Sequence, residues 1–467
     1  MSRFSRLFRT RSLAELRNCS GERCLRRELG ALDLVLLGIG CIVGTGIFVL
    51  TGVAAATYTG PGIIVSFVIA GIACILTALA YAELASMIPF TGSAYTFAYV
   101  SLGEIVAWLV GWTLLLEYLI AACMVSVGWS AYMTGIFGAG GVLLPHAYTA
   151  PPADGGLINV PAILIALFIC GVLIAGVRES SRLNNLMVVV KIGAILVFLA
   201  LAAPKINYLN WQPFLPYGVT GILTGAAIVF TAFIGFDAVS TATEECKNPK
   251  RDMPVGIIGS IVICTLLYVA VSAVLTGTVP YTLLNNPEPV TFALRYIGFT
   301  AGSALVGLGA IAGITTVLLV LYYGLTRIVF AMSRDGMLPA RLCSIHRTFK
   351  TPYVVTAIAG FIIAVIAGLT PITALAELVN IGTLFAFIMS SAGALVLRLR
   401  LPDAPRPFRC PGLFIVAPLS ICLCLILMIM LPHVTWLRFI GWLMLGILVY
   451  VAYGYKRSIS GKTREIS

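Results

Sequence analysis

Long apolar stretches separated by short polar connections dominate this chain. The stretches run to about 20 residues, the length at which an α-helix crosses the hydrocarbon core of a bilayer. They lack the alternation over about ten residues that is typical of a membrane β-barrel strand. The pattern predicts twelve transmembrane helices, labelled α1 to α12 in chain order: 31–56, 60–87, 104–133, 158–176, 184–203, 219–245, 254–279, 300–332, 353–369, 373–397, 411–431 and 434–455.

The composition supports this interpretation. Of the 467 residues, 60% are hydrophobic and only 10% are charged, whereas soluble proteins carry about 25% charged residues. A chain so poor in charge could not cover its own surface in water. In lipid, every backbone polar group needs an internal partner, so only helices or closed barrels span a membrane. We therefore predict an all-α polytopic membrane protein.

Positive charge is distributed asymmetrically about the twelve helices. An even number of helices places both termini on one side, and the first 30 residues carry eight arginines. With the termini inside, all but four of the 30 lysines and arginines lie on the cytoplasmic side; Lys205, Arg295 and Arg438 lie outside, and Lys191 lies within α5. This asymmetry is typical of a cytoplasmic N-terminus. It explains the net charge of +12 without nucleic-acid binding and predicts a multi-pass protein of the cytoplasmic (inner) membrane.

The sequence contains few residues that indicate catalysis or metal binding. Residues 88–103 are rich in aromatic and hydroxyl side chains, and we interpret them as an interfacial or re-entrant cytoplasmic segment. The twelve cysteines are scattered and are interpreted as packing residues. The three histidines fall in predicted loops, so neither a metal nor a cofactor is predicted. A membrane enzyme would need a nucleophile, a metal cluster or paired catalytic carboxylates, so the sequence predicts no enzyme.

Helices α1 and α6 contain residues that weaken a transmembrane helix. Four glycines lie between residues 38 and 46 of α1, and each costs roughly 1 kcal/mol relative to alanine. In α6, Gly235 and Asp237 lie deep in the apolar run. Unwound backbone is tolerated in a membrane only where it lines a protein cavity. Two interrupted helices in corresponding places therefore indicate a binding site between inverted repeats.

Two alternatives remain for these residues. Gly40 and Gly44 form a GxxxG pair, which would also allow close helix packing. That alternative leaves Asp237 unexplained. Asp237 can cap the second half of α6, make a functional contact, or do both.

The interrupted helices predict a site with two kinds of backbone group. The second half of α1 begins near Gly44, Thr45 and Gly46, where free N–H groups and the positive end of the helix dipole attract a carboxylate. The first half of α1 ends near Ile42 and that of α6 near 230–234, which leaves carbonyls that can receive an ammonium group. Together they fit the two ends of an α-amino acid.

Five segments carry a family resemblance: GIGCIVGTGIF in α1, YAELASMIPFTGSAYTFAY after α2, IGFDAVSTATEECKNPKRDMPVGI from α6 into α7, GAIAGITTVLLVLYYGLTRIVFAMSRDGMLP in α8 and ELVNIGTLFAF in α10. They resemble the amino acid–polyamine–organocation superfamily and, within it, the cationic amino acid transporter family and its bacterial relatives. The resemblance covers about residues 26–455.

This resemblance implies the leucine-transporter fold, a 5+5 inverted repeat with broken helices α1 and α6 plus two peripheral helices. It also implies alternating access to one central site. The predicted organisation is a basic cytoplasmic segment (1–30), a first repeat (31–203), a second repeat (204–398), two peripheral helices (399–455) and a cytoplasmic tail (456–467).

Carried over position by position, the resemblance implies two sets of substrate-binding residues. The substrate backbone would be held by Ile42, Gly44, Thr45 and Gly46. Carbonyls and part of the side-chain pocket would come from Phe230, Thr231, Ala232 and Ile234, with Leu321 and Tyr322 as neighbours of the side chain. Thr231 stands where relatives commonly have an aromatic residue, so the gating residue stays open among Phe230, Phe233 and Phe236.

Three charged side chains within predicted helices are candidates for function. A lysine in a span costs roughly 3 kcal/mol on insertion scales. Lys191 is similar to a lysine that occupies the place of a sodium ion in sodium-independent relatives, which implies proton coupling; the alternative is a side chain that snorkels to the headgroups. Glu117, near the middle of α3, could recognise a cationic side chain, join a proton path or hold helices together. Asp237 is a further candidate for gating or recognition.

The sequence therefore predicts secondary active transport of L-amino acids, cationic and/or small neutral, coupled to protons and independent of sodium. The alternatives are an amino-acid exchanger and a non-transporting sensor on the same fold. The predicted partners are the amino acid, protons and the lipid bilayer. The residues leave open which amino acid is carried and whether a small membrane-protein subunit is present.

Overall fold

The computed structural model describes Thr10 and residues 29–88, 93–176, 181–240, 246–346, 349 and 351–455. Among these residues, seven helices are long and apolar enough to cross a membrane, and five shorter apolar helices accompany them. Each predicted segment is helical over its described residues, apart from a few terminal residues and the interruptions in α1 and α6. The observed bounds are Ala31–Ile42, Gly46–Leu50, Thr51–Ala54 and Ala55–Thr59 for α1, Ile63–Met87 for α2, Glu104–Ala139 for α3, Val160–Ile174 for α4, Ser181–Ala202 for α5, Gly218–Val229, Phe230–Phe233 and Phe236–Ser240 for α6, Pro249–Thr278 for α7, Thr300–Arg334 for α8, Tyr353–Leu369 for α9, Ile372–Arg400 for α10, Leu413–Ile429 for α11, and His433–Val449 and Tyr450–Gly454 for α12.

Two further α-helices lie in the described parts of the connections. Pro289–Tyr296 lies between α7 and α8, and Ser93–Ser101 lies between α2 and α3. All nine residues of Ser93–Ser101 are buried, so this part of the segment predicted to be interfacial lies inside the protein. Its aromatic side chains explain the burial, since Phe97 packs edge-to-face on Tyr81 of α2 with ring centres 5.1 Å apart.

Helices α11 and α12 lie at the periphery of the bundle. Most large apolar side chains of α12 are exposed, as expected for a helix with one face toward lipid. Its inner face is joined to α3 by two tryptophans. The Trp112 indole donates to the Trp442 carbonyl (2.9 Å), the Trp442 indole donates to the Trp112 carbonyl (3.0 Å), and the two rings stack 4.7 Å apart. These reciprocal bonds fix α12 to α3.

A buried carboxylate connects α2 to the C-terminal end of α10. Glu83 is 1% exposed and accepts from the guanidinium groups of Arg398 and Arg406. The backbone N–H of Cys410 donates to the same carboxylate at 2.8 Å. Because removing one partner of a buried ion pair leaves an uncompensated charge, this cluster fixes the end of α2 to α10 and to the connection that follows it.

Candidate binding site at the helix breaks

The interruption in α1 brings this helix into backbone contact with α6. The first half ends at Ile42, and Val43 adopts an extended conformation with φ −75° and ψ 99°. The helix resumes at Gly46. A Cβ atom on Gly46 would lie 2.4 Å from the Cα of Ala232, so only glycine allows this approach. In the restarting turn the N–H of Phe48 donates to the Gly44 carbonyl (3.3 Å), whereas the N–H groups that precede it lie before any intrahelical acceptor.

The interruption in α6 faces that of α1. A tight turn at Phe230–Phe233 is followed by Ile234 in an extended conformation, with φ −61° and ψ 138°. Gly235 then has φ +113°, a conformation that L side chains rarely adopt. A Cβ atom there would also lie 2.9 Å from the Cys41 carbonyl oxygen. Gly235 therefore meets both a conformational and a steric requirement at the junction.

A small cavity lies where the two interruptions meet. Its volume is about 20 Å³, room for about one water molecule, so an amino acid can enter only if the surrounding side chains move. Gly44 packs tightly beside it, because a Cβ atom on Gly44 would lie 3.1 Å from Val317 of α8. The cavity is lined by Cys41, Ile42, Gly44, Thr45, Gly46, Ala121, Met124, Val125, Thr231, Ile234, Val317 and Leu321.

The structure brings together most of the substrate-binding residues predicted from the sequence. Seven line the cavity, namely Ile42, Gly44, Thr45, Gly46, Thr231, Ile234 and Leu321. Phe230 and Ala232 are buried beside it without lining it. Sequence reasoning missed Cys41 and the contributions of α3 and Val317. The only available signal was the helical spacing of Ala121 with Val125 and of Val317 with Leu321, which many core residues share.

The carbonyls predicted to receive an ammonium group are already partly used. The Tyr268 hydroxyl of α7 donates toward the Ile42 carbonyl (3.0 Å) and the Ala232 carbonyl (2.8 Å). Tyr268 is fully buried and packs on Phe67 and Phe233, with ring centres 5.3 and 5.2 Å away. The carbonyls of Ile42 and Ala232 are therefore not unpaired. One hydroxyl group is thus shared between the ends of two broken helices, whose carbonyls lipid cannot hydrogen-bond.

Lys191 points into the protein. It is fully buried, and its ammonium group donates to the carbonyls of Gly40 (2.5 Å) and Val43 (3.1 Å). The snorkelling alternative is therefore wrong. These carbonyls lie at the C-terminal end of the first half of α1, where the helix dipole favours a cation. Gly313 of α8 packs over the lysine, since a Cβ atom there would lie 3.0 Å from the Lys191 Cβ atom.

Asp237 joins three elements on the side of the cavity toward Ser93–Ser101. Its Oδ2 atom accepts from the Tyr118 hydroxyl of α3 (2.7 Å) and from the Ser93 hydroxyl (3.5 Å). The adjacent Phe236 does not line the cavity; its ring packs on Phe387 of α10 and on Tyr81, with centres 4.8 and 5.9 Å away. The second half of α6 is thus held to α3 by a carboxylate and to α10 by aromatic rings.

Glu117 lies one helical turn from the cavity-lining Ala121 and does not line the cavity itself. It is 1% exposed, and among the described residues neither of its carboxylate oxygens makes a hydrogen bond of regular geometry, although the Thr383 hydroxyl lies close enough to interact with it. It interacts electrostatically with Asp237. A buried carboxylate without a regular hydrogen bond is costly, so its retention here needs a proton, a bound cationic group or ordered water.

These features define a multi-pass helical membrane protein with a central cavity where two broken helices meet. The chain belongs to the amino acid permease family, whose family model matches residues 29–452. It is 49% identical to the branched-chain amino acid permease BcaP of Bacillus subtilis, over 97% of this chain and 98% of that protein. It is 47% identical to the methylthioribose transporter of the same organism, over 98% and 100%. It is 39% identical to the chloroplastic cationic amino acid transporter 9 of Arabidopsis thaliana, over 83% and 69%. The predicted family and the prediction that the chain is a permease and no enzyme are confirmed.

Gly46→Ala tests the contact between the two interruptions. Its methyl group would overlap the Ala232 backbone, which cannot move aside as a flexible side chain can. We expect a loss of about 1–3 kcal/mol of stability together with loss of substrate binding, measured by thermal unfolding and ligand binding in detergent. Gly171→Ala in α4 is the matched control, since a Cβ atom there meets nothing within 4 Å. If Gly46→Ala bound substrate and unfolded as the unsubstituted protein does, this packing would be irrelevant to the site.

Proposed function

We propose that this protein carries L-amino acids with small or branched apolar side chains across the cytoplasmic membrane by alternating access. The observation that supports this substrate class is the lining of the cavity. Outside α1 and α6, the residues that line it are all apolar, namely Ala121, Met124, Val125, Val317 and Leu321. Among the described residues that line the cavity, none carries a charge. Such a wall favours an aliphatic side chain, since burying a charge without a partner is costly.

The comparisons favour the same substrate class. The relative with 49% identity is named a branched-chain amino acid permease, and its length is almost fully covered. A second branched-chain amino acid permease, from Lactococcus lactis, is 34% identical over 91% of this chain. Because a relative with 47% identity is named a methylthioribose transporter, methylthioribose belongs among the compounds to be tested.

Cationic amino acids are the second candidate substrates, because of Glu117. A long cationic side chain that extended one turn beyond Ala121 would reach the buried carboxylate of Glu117. An ammonium or guanidinium group there would compensate the buried charge. Relatives named cationic amino acid transporters share 35–39% identity with the chain.

We assign proton coupling to Lys191. Its ammonium group holds the Gly40 and Val43 carbonyls at the end of the first half of α1. Loss of the proton would weaken both bonds and release this half-helix. A fixed positive charge at this point also disfavours a sodium ion, which fits sodium-independent transport. In this scheme the inverted repeats are 31–203 and 204–398, α11 and α12 are peripheral, and both termini are cytoplasmic.

Uptake into liposomes tests the function directly. We expect L-valine and L-leucine to accumulate when an inward proton gradient is imposed, with or without sodium, and L-arginine and methylthioribose to accumulate less. The measurement is radiolabel uptake by the reconstituted protein. Uptake that requires preloaded internal amino acid would favour an exchanger. The absence of uptake and exchange in intact vesicles would favour a sensor.

Lys191→Ala tests proton coupling. We expect the variant to lose accumulation driven by the gradient, because the contact between α5 and the first half of α1 no longer depends on a proton. Lys205→Gln, at an exposed position near the end of α5, is the control and should behave as the unsubstituted protein does. Gradient-stimulated uptake with an unchanged pH profile in Lys191→Ala would exclude this role.

Glu117→Gln tests the second substrate class. If Glu117 recognises a cationic side chain, the amide should weaken competition by L-arginine about tenfold, in line with the loss of a charge-assisted hydrogen bond, and leave competition by L-valine unchanged. Glu377→Gln, near the start of α10, is the control for loss of a carboxylate charge away from Glu117, and it should leave both competitions unchanged. An unchanged preference would remove Glu117 from side-chain recognition.

A further inference from the structure

One charged side chain of α8 lies near the level of the central cavity. The charge count assigns Arg327 to the cytoplasmic side, although the predicted α8 (300–332) contains it. In the structure α8 continues to Arg334, so Arg327 lies two turns, roughly 10 Å, before the end of the helix. Leu321, which lines the central cavity, is only about 9 Å further along the same helix.

The guanidinium group of Arg327 also points away from the near end of the helix. Its Nη2 atom donates to the Tyr323 hydroxyl, and its Cζ atom lies 4.0 Å from the centre of the Tyr323 ring. Tyr323 lies one turn closer to the level of the cavity, in the direction in which helical side chains lean. Arg327 therefore does not snorkel toward the headgroups, although a long cationic side chain near a membrane surface usually does.

No acidic residue neutralises this group within the part of the chain that the structure describes. The ion pairs described involve Glu83, Glu288 and Asp335 and do not include Arg327. Tyr323 is 46% exposed, and Arg327 is partly exposed. Charged side chains at membrane depth almost always face the protein interior or a water-filled cavity. Exposure at this depth therefore indicates an aqueous crevice.

The position of Arg327 on α8 locates this crevice. Arg327 is 14 residues from Gly313, close to four helical turns, so both lie on nearly the same side of α8. Gly313 packs against Lys191 of α5, and Lys191 binds the carbonyls at the interruption of α1. The crevice therefore runs along the side of α8 that faces α5, toward the interruption of α1.

We propose that Arg327, supported by Tyr323, is a second carboxylate-binding position on the cytoplasmic route to the central cavity. It binds the α-carboxylate of an amino acid that enters or leaves, a role that rests on the proposed transport function. A planar guanidinium group binds a carboxylate with two parallel hydrogen bonds. The Tyr323 ring beneath it restricts its orientation and leaves the other N–H groups for the ligand. Because the position is partly exposed, binding there is weak enough for release.

Sided kinetics test this position. The protein is reconstituted, and the KM for L-valine is measured separately from the external and the cytoplasmic side. Arg327→Gln should raise the cytoplasmic KM about tenfold, the loss expected for one charge-assisted hydrogen bond, and leave the external KM unchanged. Arg327→Lys should lie between, because lysine keeps the charge and loses the bidentate geometry. Arg334→Gln is the control, since Arg334 is 54% exposed at the end of the helix. Equal changes of both KM values would overturn the proposal, because a merely structural role acts on both sides.

Thiol labelling tests the crevice without relying on transport. Arg327→Cys should react with the anionic reagent sulfonatoethyl methanethiosulfonate added from the cytoplasmic side, and excess L-valine should slow the reaction. Leu308→Cys, 58% exposed on the same helix, faces lipid and should not react above the background of the unsubstituted protein. No labelling of Arg327→Cys would overturn the proposal. Labelling that L-valine does not slow would show that the crevice exists and would exclude Arg327 as a carboxylate-binding position. The proposed function fails separately, if the unsubstituted protein transports no amino acid.

A lipid phosphate offers the same oxyanion chemistry as a carboxylate. The sided KM measurement is therefore repeated in phosphatidylcholine liposomes with and without phosphatidylglycerol. A carboxylate position predicts the same effect of Arg327→Gln in both. An effect confined to liposomes with phosphatidylglycerol would assign Arg327 to an anionic lipid and overturn the proposal.

Discussion

The need to satisfy every backbone polar group in a membrane governs this structure. Breaking a transmembrane helix exposes carbonyls that lipid cannot hydrogen-bond. Here the protein breaks two helices at one level and supplies the missing donors from neighbouring helices. The Lys191 ammonium group serves two carbonyls at the end of the first half of α1, and the Tyr268 hydroxyl serves one carbonyl from each broken helix. The site can therefore exist only as an assembly of α1, α5, α6 and α7.

The contacts that hold this assembly together differ in how much movement they allow. Gly46 and Ala232 place the two broken helices in contact that leaves no room for a methyl group. The second half of α6 is held differently, through one carboxylate to Tyr118 and Ser93 and through rings that pack on Phe387. Such side-chain contacts can be broken and re-formed without unfolding a helix, whereas the close backbone contact between Gly46 and Ala232 cannot. The core of the site is thus rigid and its surroundings are adjustable.

The sequence predicts more of the fold than of the site. Apolar length alone locates all twelve helices, because a bilayer sets the length of each one. The glycines of α1 and the Gly235–Asp237 pair locate the interruptions, since few sequences weaken a membrane helix without a reason. Met124, Val125 and Val317 could not be found, because one apolar side chain in an apolar helix carries no sign of what it faces. The role of Tyr268 and the direction of the Arg327 side chain depend on tertiary contacts that no local pattern encodes.

The paired tryptophans between α3 and α12 give the molecule an optical reporter of its own. Two indoles stacked 4.7 Å apart are close enough for their electronic transitions to couple, which produces a circular-dichroism signal in the near ultraviolet. The stack of Trp108 on Trp112 (5.5 Å) lies within α3 and persists when α12 detaches, whereas the part of that signal to which Trp442 contributes depends on a contact at the edge of the bundle and not on the cavity. It therefore separates detachment of a peripheral helix from rearrangement at the centre, without any dye or label.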